Sequence, residues 1–298
     1  MTRNEELTAL REAMSRVPKP GIAPEARRAA WDAAAAFLPD PPDVSFEGAR
    51  LGGIEATIVR RGAHLNAGHV LYVHGGSYTA GSLATHRAFL ASLAQSTGMV
   101  LLAPWYRLAP EHPFPAAVDD VLAAYRAAID MESKNLLVVG DSAGAGLALA
   151  MLMRARDAGL PMPKALACFS PWLDLSTDRV PTAAEMERDF VLDWPALVAS
   201  AQAYLAGADP RDPLASPALG DWTGLPPALI QVGGAELLLA DAFAGASAAS
   251  RAGVFVTLEI FPGMPHGFHL LGHALTDAAR ALERASQWLT AQCRTQQA

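Results

Sequence analysis

The 298-residue chain is expected to fold as a mostly parallel α/β sheet covered by helices on both faces. Two observations predict this. From about residue 70, short apolar runs recur: "HVLYV", "MVLLAP", "NLLVVG", "ALACFS", "ALIQV" and "VTLEI". Helical stretches at 85–97, 115–129, 142–157 and 241–252 separate most of them. A composition that is 51% hydrophobic suits the core such a sheet requires, and a chain of this length buries roughly three quarters of its unfolded surface.

Before that alternation begins, two helical patterns end near Phe37, the first with Leu7, Leu10 and Met14 on one face. The cluster "PDPPD" at 39–43 reads as a linker, and "VSFEGARLGGIEATIVRR" reads as a hairpin around a Gly-Gly turn. One segment, 175–220, is longer than a crossover between strands requires and is expected to lie over the carboxyl ends of the strands as a lid. The net charge of −7 and the lack of a basic block argue against nucleic acid or an anionic membrane as partner. Cys168 and Cys293 form no disulfide framework and no zinc spacing. No signal-peptide pattern and no long apolar run is present, so a soluble cytoplasmic protein is the expectation.

The run "LLVVGDSAGAGLALAML" carries the chemistry. A buried strand meets Gly140-Asp141-Ser142-Ala143-Gly144 and a helix follows at once, the strand–turn–helix setting of a G-x-S-x-G nucleophile. Ser142 then stands at a helix N-terminus, where the Ala143 N–H and the helix dipole favour a negative oxygen. A serine hydroxyl needs a histidine to take its proton, and the histidine needs a carboxylate to fix its tautomer. Of the histidines after Ser142, His266 sits in a loop after the last strand, whereas His269 and His273 read as surface or helix-capping residues. No carboxylate or cysteine completes a metal site with these three, so no metal is expected. The acid is assigned to Glu236, shortly after the run "ALIQV", in preference to Asp241, which reads as a first-turn helix residue complementing the dipole. The stretch "LYVHGGSYTAGS" at 71–82 ends a strand on exposed peptide N–H groups. Gly75, Gly76 and Ser77 are its candidates for the other half of an oxyanion hole with Ala143, and His74 is read as a residue that orients the loop.

With "HGGS", "GDSAG" and "PMPHGF" in this order, the chain resembles the hormone-sensitive lipase branch of the α/β-hydrolases, the bacterial family IV carboxylesterases. "YRLAPEHPFPAAVDD" at 106–120 and "YLAGADPRDPLASPAL" extend the likeness over nearly everything from residue 45. The resemblance implies an α/β-hydrolase fold of about eight strands in one domain, with a helical cap from about 1–44 and 180–210 on a core of about 45–179 and 211–298. It implies oxyanion donors at the second and third residues after His74, together with Ala143. It also implies a serine carboxylesterase for short-acyl esters, without a cofactor, acting through Ser142, His266 and Glu236. A lactone hydrolase with the same residues is the alternative, and a non-catalytic receptor of the same fold is the rival class. By family analogy a homodimer would form through the last strand. Three departures stand out: Glu236 where most relatives carry Asp, Ser77 in place of a third glycine, and Trp105, read as a packing change.

Overall fold

A computed structural model describes residues 2–15, 24–35, 42–62, 68–132, 134–272 and 274–294; His273 and most of the linker at 39–43 lie outside them. Eight strands form one sheet: β1 Val44–Leu51, β2 Ile54–Arg61, β3 His69–Val73, β4 Val100–Pro104, β5 Leu136–Asp141, β6 Leu166–Phe169, β7 Ala228–Gly233 and β8 Val256–Phe261. The spatial order is β1-β2-β4-β3-β5-β6-β7-β8. The β1/β2 and β2/β4 pairs are antiparallel, and β3 through β8 run parallel. Gly52 and Gly53, both at positive φ (57° and 87°), close the expected hairpin, as a tight turn between twisted strands demands.

Helices cover both faces because alternate strand residues need apolar partners on opposite sides. Leu71, Val73 and Val138 join a core completed by α4 (Ala116–Met131), α5 (Ala143–Asp157) and α8 (Leu239–Arg251). Val70, Tyr72, Leu137 and Val139 join a second core with Phe89, Leu90 and Leu93 of α3 (Leu83–Thr97) and Leu282 and Leu289 of α9 (Thr276–Arg294). Every residue of β5 is buried, which is why its sequence shows no polar alternation. Strand β8 lies at the sheet edge, and Phe255 just before it is 85% exposed.

The remaining helices settle near the carboxyl ends of the strands. In α1 (Arg3–Ser15), Leu7 and Leu10 pack against the cluster of Phe261, Met264 and Phe268, and Arg3 pairs with Asp277 at 2.5 Å. Arg28 of α2 (Pro24–Ala35) donates from Nε to the Thr79 carbonyl at 2.8 Å and pairs with Glu111. Residues 175–220 hold two α-helices, α6 (Ala183–Arg188) and α7 (Trp194–Leu205), and a 3-10 turn at Pro217–Leu219. An Asp193 N-cap and a proline in the first turn start α7. Tyr204 of α7 stacks on Tyr78, ring centroids 4.0 Å apart. Among the described residues no helix is long and apolar enough to cross a membrane.

Candidate active site

The turn from β5 into α5 is forced by two glycines. A Cβ on Gly140 would lie 2.6 Å from the Gly144 carbonyl oxygen, and one on Gly144 would lie 2.1 Å from that of Val73. With both bare, Ser142 takes φ 50° and ψ −123°, a conformation that L-residues hold only when their surroundings enforce it. Here the Ser142 N–H donates to Phe169 O at 2.8 Å, and its carbonyl accepts from Trp172 N at 3.0 Å. The side chain is left 7% exposed at the first turn of α5.

His266 comes from the loop after β8, and Glu236 from the turn after β7. His266 Nδ1 lies 2.7 Å from Glu236 Oε2, and its Nε2 lies 3.0 Å from Ser142 Oγ. An ionised carboxylate only accepts, so Nδ1 carries the proton and Nε2 is the acceptor facing the serine hydroxyl. The other Glu236 oxygen accepts from Ser170 Oγ at 2.8 Å and from the Gly233 N–H. Burial pulls the His266 imidazole down. The hydrogen bond and charge of Glu236, joined by the charges of Asp189 and Asp141, more than reverse this and hold it above its ordinary value. Ser142, His266 and Glu236 thus meet from three separate loops, in the chain order serine, acid, histidine.

Gly75 requires a correction. Its N–H, expected to face an oxyanion, donates instead to Asp141 Oδ1 at 2.8 Å. A Cβ there would lie 2.3 Å from Asp141 Oδ2, so the glycine is needed for close approach rather than as a donor. Asp141, which the sequence pattern gives no role beyond its place in the G-x-S-x-G run, also accepts from Tyr72 Oη at 2.6 Å and lies 3.5 Å from His86 Nε2. It therefore joins the turn at Ser142 to the loop after β3. Among the described residues, the Gly76, Ser77 and Ala143 N–H groups have no protein acceptor. Gly76 (φ 126°) and Ser77 (φ 53°) bend the chain sharply, and Thr79 N and Ala80 N close the turn on Gly76 O.

Behind this turn, His74 stacks on Tyr106 (centroids 4.2 Å apart, 10° between planes) and directs Nδ1 to Gly75 O at 2.8 Å. Burial, with the nearby His86, pushes it down to about 3, so it stays neutral and orients the loop. Tyr106 donates to His74 O at 2.7 Å, and Ala109 N to Tyr78 O at 3.0 Å. These bonds explain why the "YRLAP" stretch accompanies the "HGGS" loop. Trp105 lies 5.3 Å from the His74 ring and donates to Thr57 Oγ1.

Two other assignments change in detail. Asp241 lies in the first turn of α8, as expected, but its Oδ1 also accepts from Leu173 N and Asp174 N at 2.8 and 2.9 Å. Its carboxylate secures the loop after β6 and makes no contact with His266. His269 is neither a surface nor a capping residue. It is buried between Phe169 and Phe268, and that burial pushes it down to about 3. Among the described residues no three His, Cys, Asp or Glu side chains cluster as a metal site would need.

A parallel sheet with a serine on the β5–α5 turn, a histidine after the last strand and a carboxylate after β7 defines an α/β-hydrolase. The family profile described as "alpha/beta hydrolase fold" matches residues 70–270. An "Acetyl-hydrolase" of Streptomyces hygroscopicus is 48% identical over 74% of this chain and 74% of its own. An "Esterase" of Acinetobacter venetianus is 34% identical over 90% of this chain and 89% of its own. The crystal structure of an esterase from the bacterial hormone-sensitive lipase family superposes with a TM-score of 0.93 at 34% identity, covering 98% of this chain and all of that one. The chain belongs to the hormone-sensitive lipase family of α/β-hydrolases.

Proposed function

We propose that the protein hydrolyses short-acyl carboxylic esters through an acyl-enzyme formed on Ser142. The chain is a carboxylic ester hydrolase; the acyl-enzyme route and the acyl preference are the finer reading. One observation carries it: the continuous line from Ser142 Oγ through His266 to Glu236, with steps of 3.0 and 2.7 Å. Ser142 Oγ attacks the ester carbonyl while His266 Nε2 takes its proton, and the imidazolium is stabilised by Glu236. The carbonyl oxygen becomes negative and is held by the N–H groups of Gly76, Ser77 and Ala143. His266 then protonates the departing alcohol, and water repeats both steps on the acyl-enzyme.

The short-acyl preference rests on bulk beside the oxyanion turn. Ser77 carries a Cβ in place of a hydrogen, and the next residue, Tyr78, is packed under Tyr204 of α7. Segments 1–44 and 180–210 act as a cap on a single domain, since Arg28 grips Thr79 O and Tyr204 stacks on Tyr78. Relatives named "Acetyl-hydrolase" and "Ethyl acetate hydrolase" support a small acyl group.

Rates on nitrophenyl esters from acetyl to decanoyl, with simple lactones alongside, test the reading. Fluorophosphonate labelling of wild type and Ser142→Ala accompanies them. The expected result is fastest turnover at acetyl to butyryl, labelling that disappears in the variant, and a loss of roughly 10⁴-fold or more in kcat. Faster turnover of lactones would reassign the substrate, and a variant keeping a tenth of the activity would refute the serine mechanism.

A further inference from the structure

The inserted segment contributes a buried carboxylate that the reaction described above does not use. Asp189 follows α6 directly and is 4% exposed. Its Oδ1 accepts from Val191 N and Leu192 N at 3.0 and 2.9 Å, a local turn that alone would be a cap and nothing more. Its Oδ2 accepts from Leu237 N at 2.7 Å, and Leu237 is the residue after Glu236. Among the described residues no cation pairs with Asp189; Arg11 of α1 lies instead over the neighbouring Phe190 ring. A buried carboxylate without a cation is costly to desolvate, and the three peptide N–H donors are what offsets that cost here.

We infer that Asp189 is a positioning residue for the triad, through which the seated insertion fixes the Glu236 turn and adds a second negative charge near His266. The inference rests on Ser142, His266 and Glu236 forming the catalytic line. The Glu236 turn is then held from two sides. The Glu236 carboxylate reaches Gly233, Ser170 and His266, while the next peptide N–H points the other way, to Asp189. Loss of the outer bond would let Leu237 move and with it the 2.7 Å contact to Nδ1. Charge acts in the same direction. Glu236, Asp189 and Asp141 all favour the imidazolium, and His269, kept neutral by burial, adds no opposing charge. The imidazolium forms as Ser142 gives up its proton, so a negative charge nearby stabilises the transition state more than the resting enzyme.

The test compares Asp189→Asn with wild type, using Asp193→Asn as control. Asp193 also accepts a peptide N–H, from Ala196, in the same insertion, but it caps α7 and touches no part of the triad turn. Asn at 189 keeps one acceptor oxygen for the local turn and places an amide N–H against Leu237 N–H. Asp189→Asn is expected to lower kcat roughly tenfold to a hundredfold, the worth of one hydrogen bond to a charged group, with KM within threefold of wild type. The acid limb of kcat/KM moves to lower pH, because a charge favouring the protonated imidazole is gone. Asp193→Asn leaves both unchanged. Fluorophosphonate labelling of Ser142 separates two failures. No labelling of wild type sinks the serine mechanism itself. Normal wild-type labelling, with Asp189→Asn labelled at the same rate and with an unmoved acid limb, sinks only the role of Asp189. Asp189→Ser, too short to reach Leu237, is assayed in parallel in case the Asn variant is poorly folded. A change in KM alone, or unfolding of both variants, assigns Asp189 to cap stability and overturns the inference.

Discussion

Replacing Glu236 by Gln perturbs the site at one atom, and its two possible orientations can be followed on the structure. Glu236 Oε2 faces His266 Nδ1 at 2.7 Å, and Oε1 faces two donors, Ser170 Oγ and the Gly233 N–H. If the Gln amide nitrogen takes the Oε2 position, it donates to Nδ1, so the ring proton must move to Nε2. That nitrogen then cannot accept the Ser142 proton across 3.0 Å. If the amide is reversed, its N–H₂ confronts the Gly233 N–H and leaves a buried donor unsatisfied, at about 1–3 kcal/mol. The first orientation therefore prevails, and the wrong tautomer is the resting state. Together with the lost charge on the imidazolium, this is expected to lower kcat about 10⁴-fold, or roughly 5.5 kcal/mol in the barrier. Stopped-flow or steady-state rates on a nitrophenyl acetate measure it, with circular dichroism to establish that the fold is intact. A folded variant retaining a tenth of wild-type kcat would refute the assignment of Glu236 and the tautomer argument with it.

Three further outcomes are expected. The acid limb of kcat/KM in the wild type lies above the ordinary histidine value of 6.5, because Glu236 raises His266 against the effect of burial, and the neutral imidazole is the active form; a limb at or below that value contradicts the geometry. Burial pushes Asp241 up to about 7 against the hydrogen bonds of Leu173 and Asp174. The folded protein therefore holds a proton that the unfolded chain releases, and stability falls as pH rises from about 4 towards 7. Asp241→Asn keeps both acceptor contacts without the charge. Thermal melts should show it more stable than wild type at pH 8, by up to a few kcal/mol, and equal near pH 3, with kcat close to wild type; a crippled kcat would make Asp241 the acid. Ser77→Gly relieves a left-handed φ, at about 1–2 kcal/mol, but loosens the unfolded chain by about 0.4–1 kcal/mol, so its melting temperature should rise only slightly. Its kcat on an acetyl ester should stay within about tenfold of wild type, with relative activity moving towards hexanoyl. A uniform hundredfold loss would mean that the hydroxyl, not the peptide N–H, serves the oxyanion.

The parts of this molecule that could be read from its sequence are those set by local pattern. The β5 run and the glycines around Ser142 specify a strand, a sharp turn and a helix within a few residues, and chain order then narrowed the base and the acid. What escaped depends on distant neighbours. Nothing near Gly75 indicates that its N–H is taken, because the acceptor, Asp141, lies on another strand end. His269 reads as polar and exposed until Phe169, from β6, closes over it. The span 175–220 was read as a lid from length alone. Its tie to the turn at Glu236, Asp189 to Leu237, joins two irregular stretches that carry no periodicity.

The oxyanion turn has a polarity of its own. The carbonyls of His74, Gly75, Gly76, Tyr78 and Thr79 all accept protons from inside the protein: from Tyr106, the His74 ring, Thr79 and Ala80, Ala109 and Arg28. Five of its carbonyls are thus satisfied from inside the protein, while among the described residues the Gly76 and Ser77 N–H groups have no protein acceptor. On the proposed reaction the turn is an anion receptor assembled during folding, before any ester arrives, and it would not distinguish an oxygen that is becoming negative from one that already is. In the proposed mechanism the acid released on deacylation leaves from among these same donors. On that reading, competitive inhibition by the carboxylate product is the expected signature in solution, and it would limit how far the site can favour its transition state without retaining what it makes.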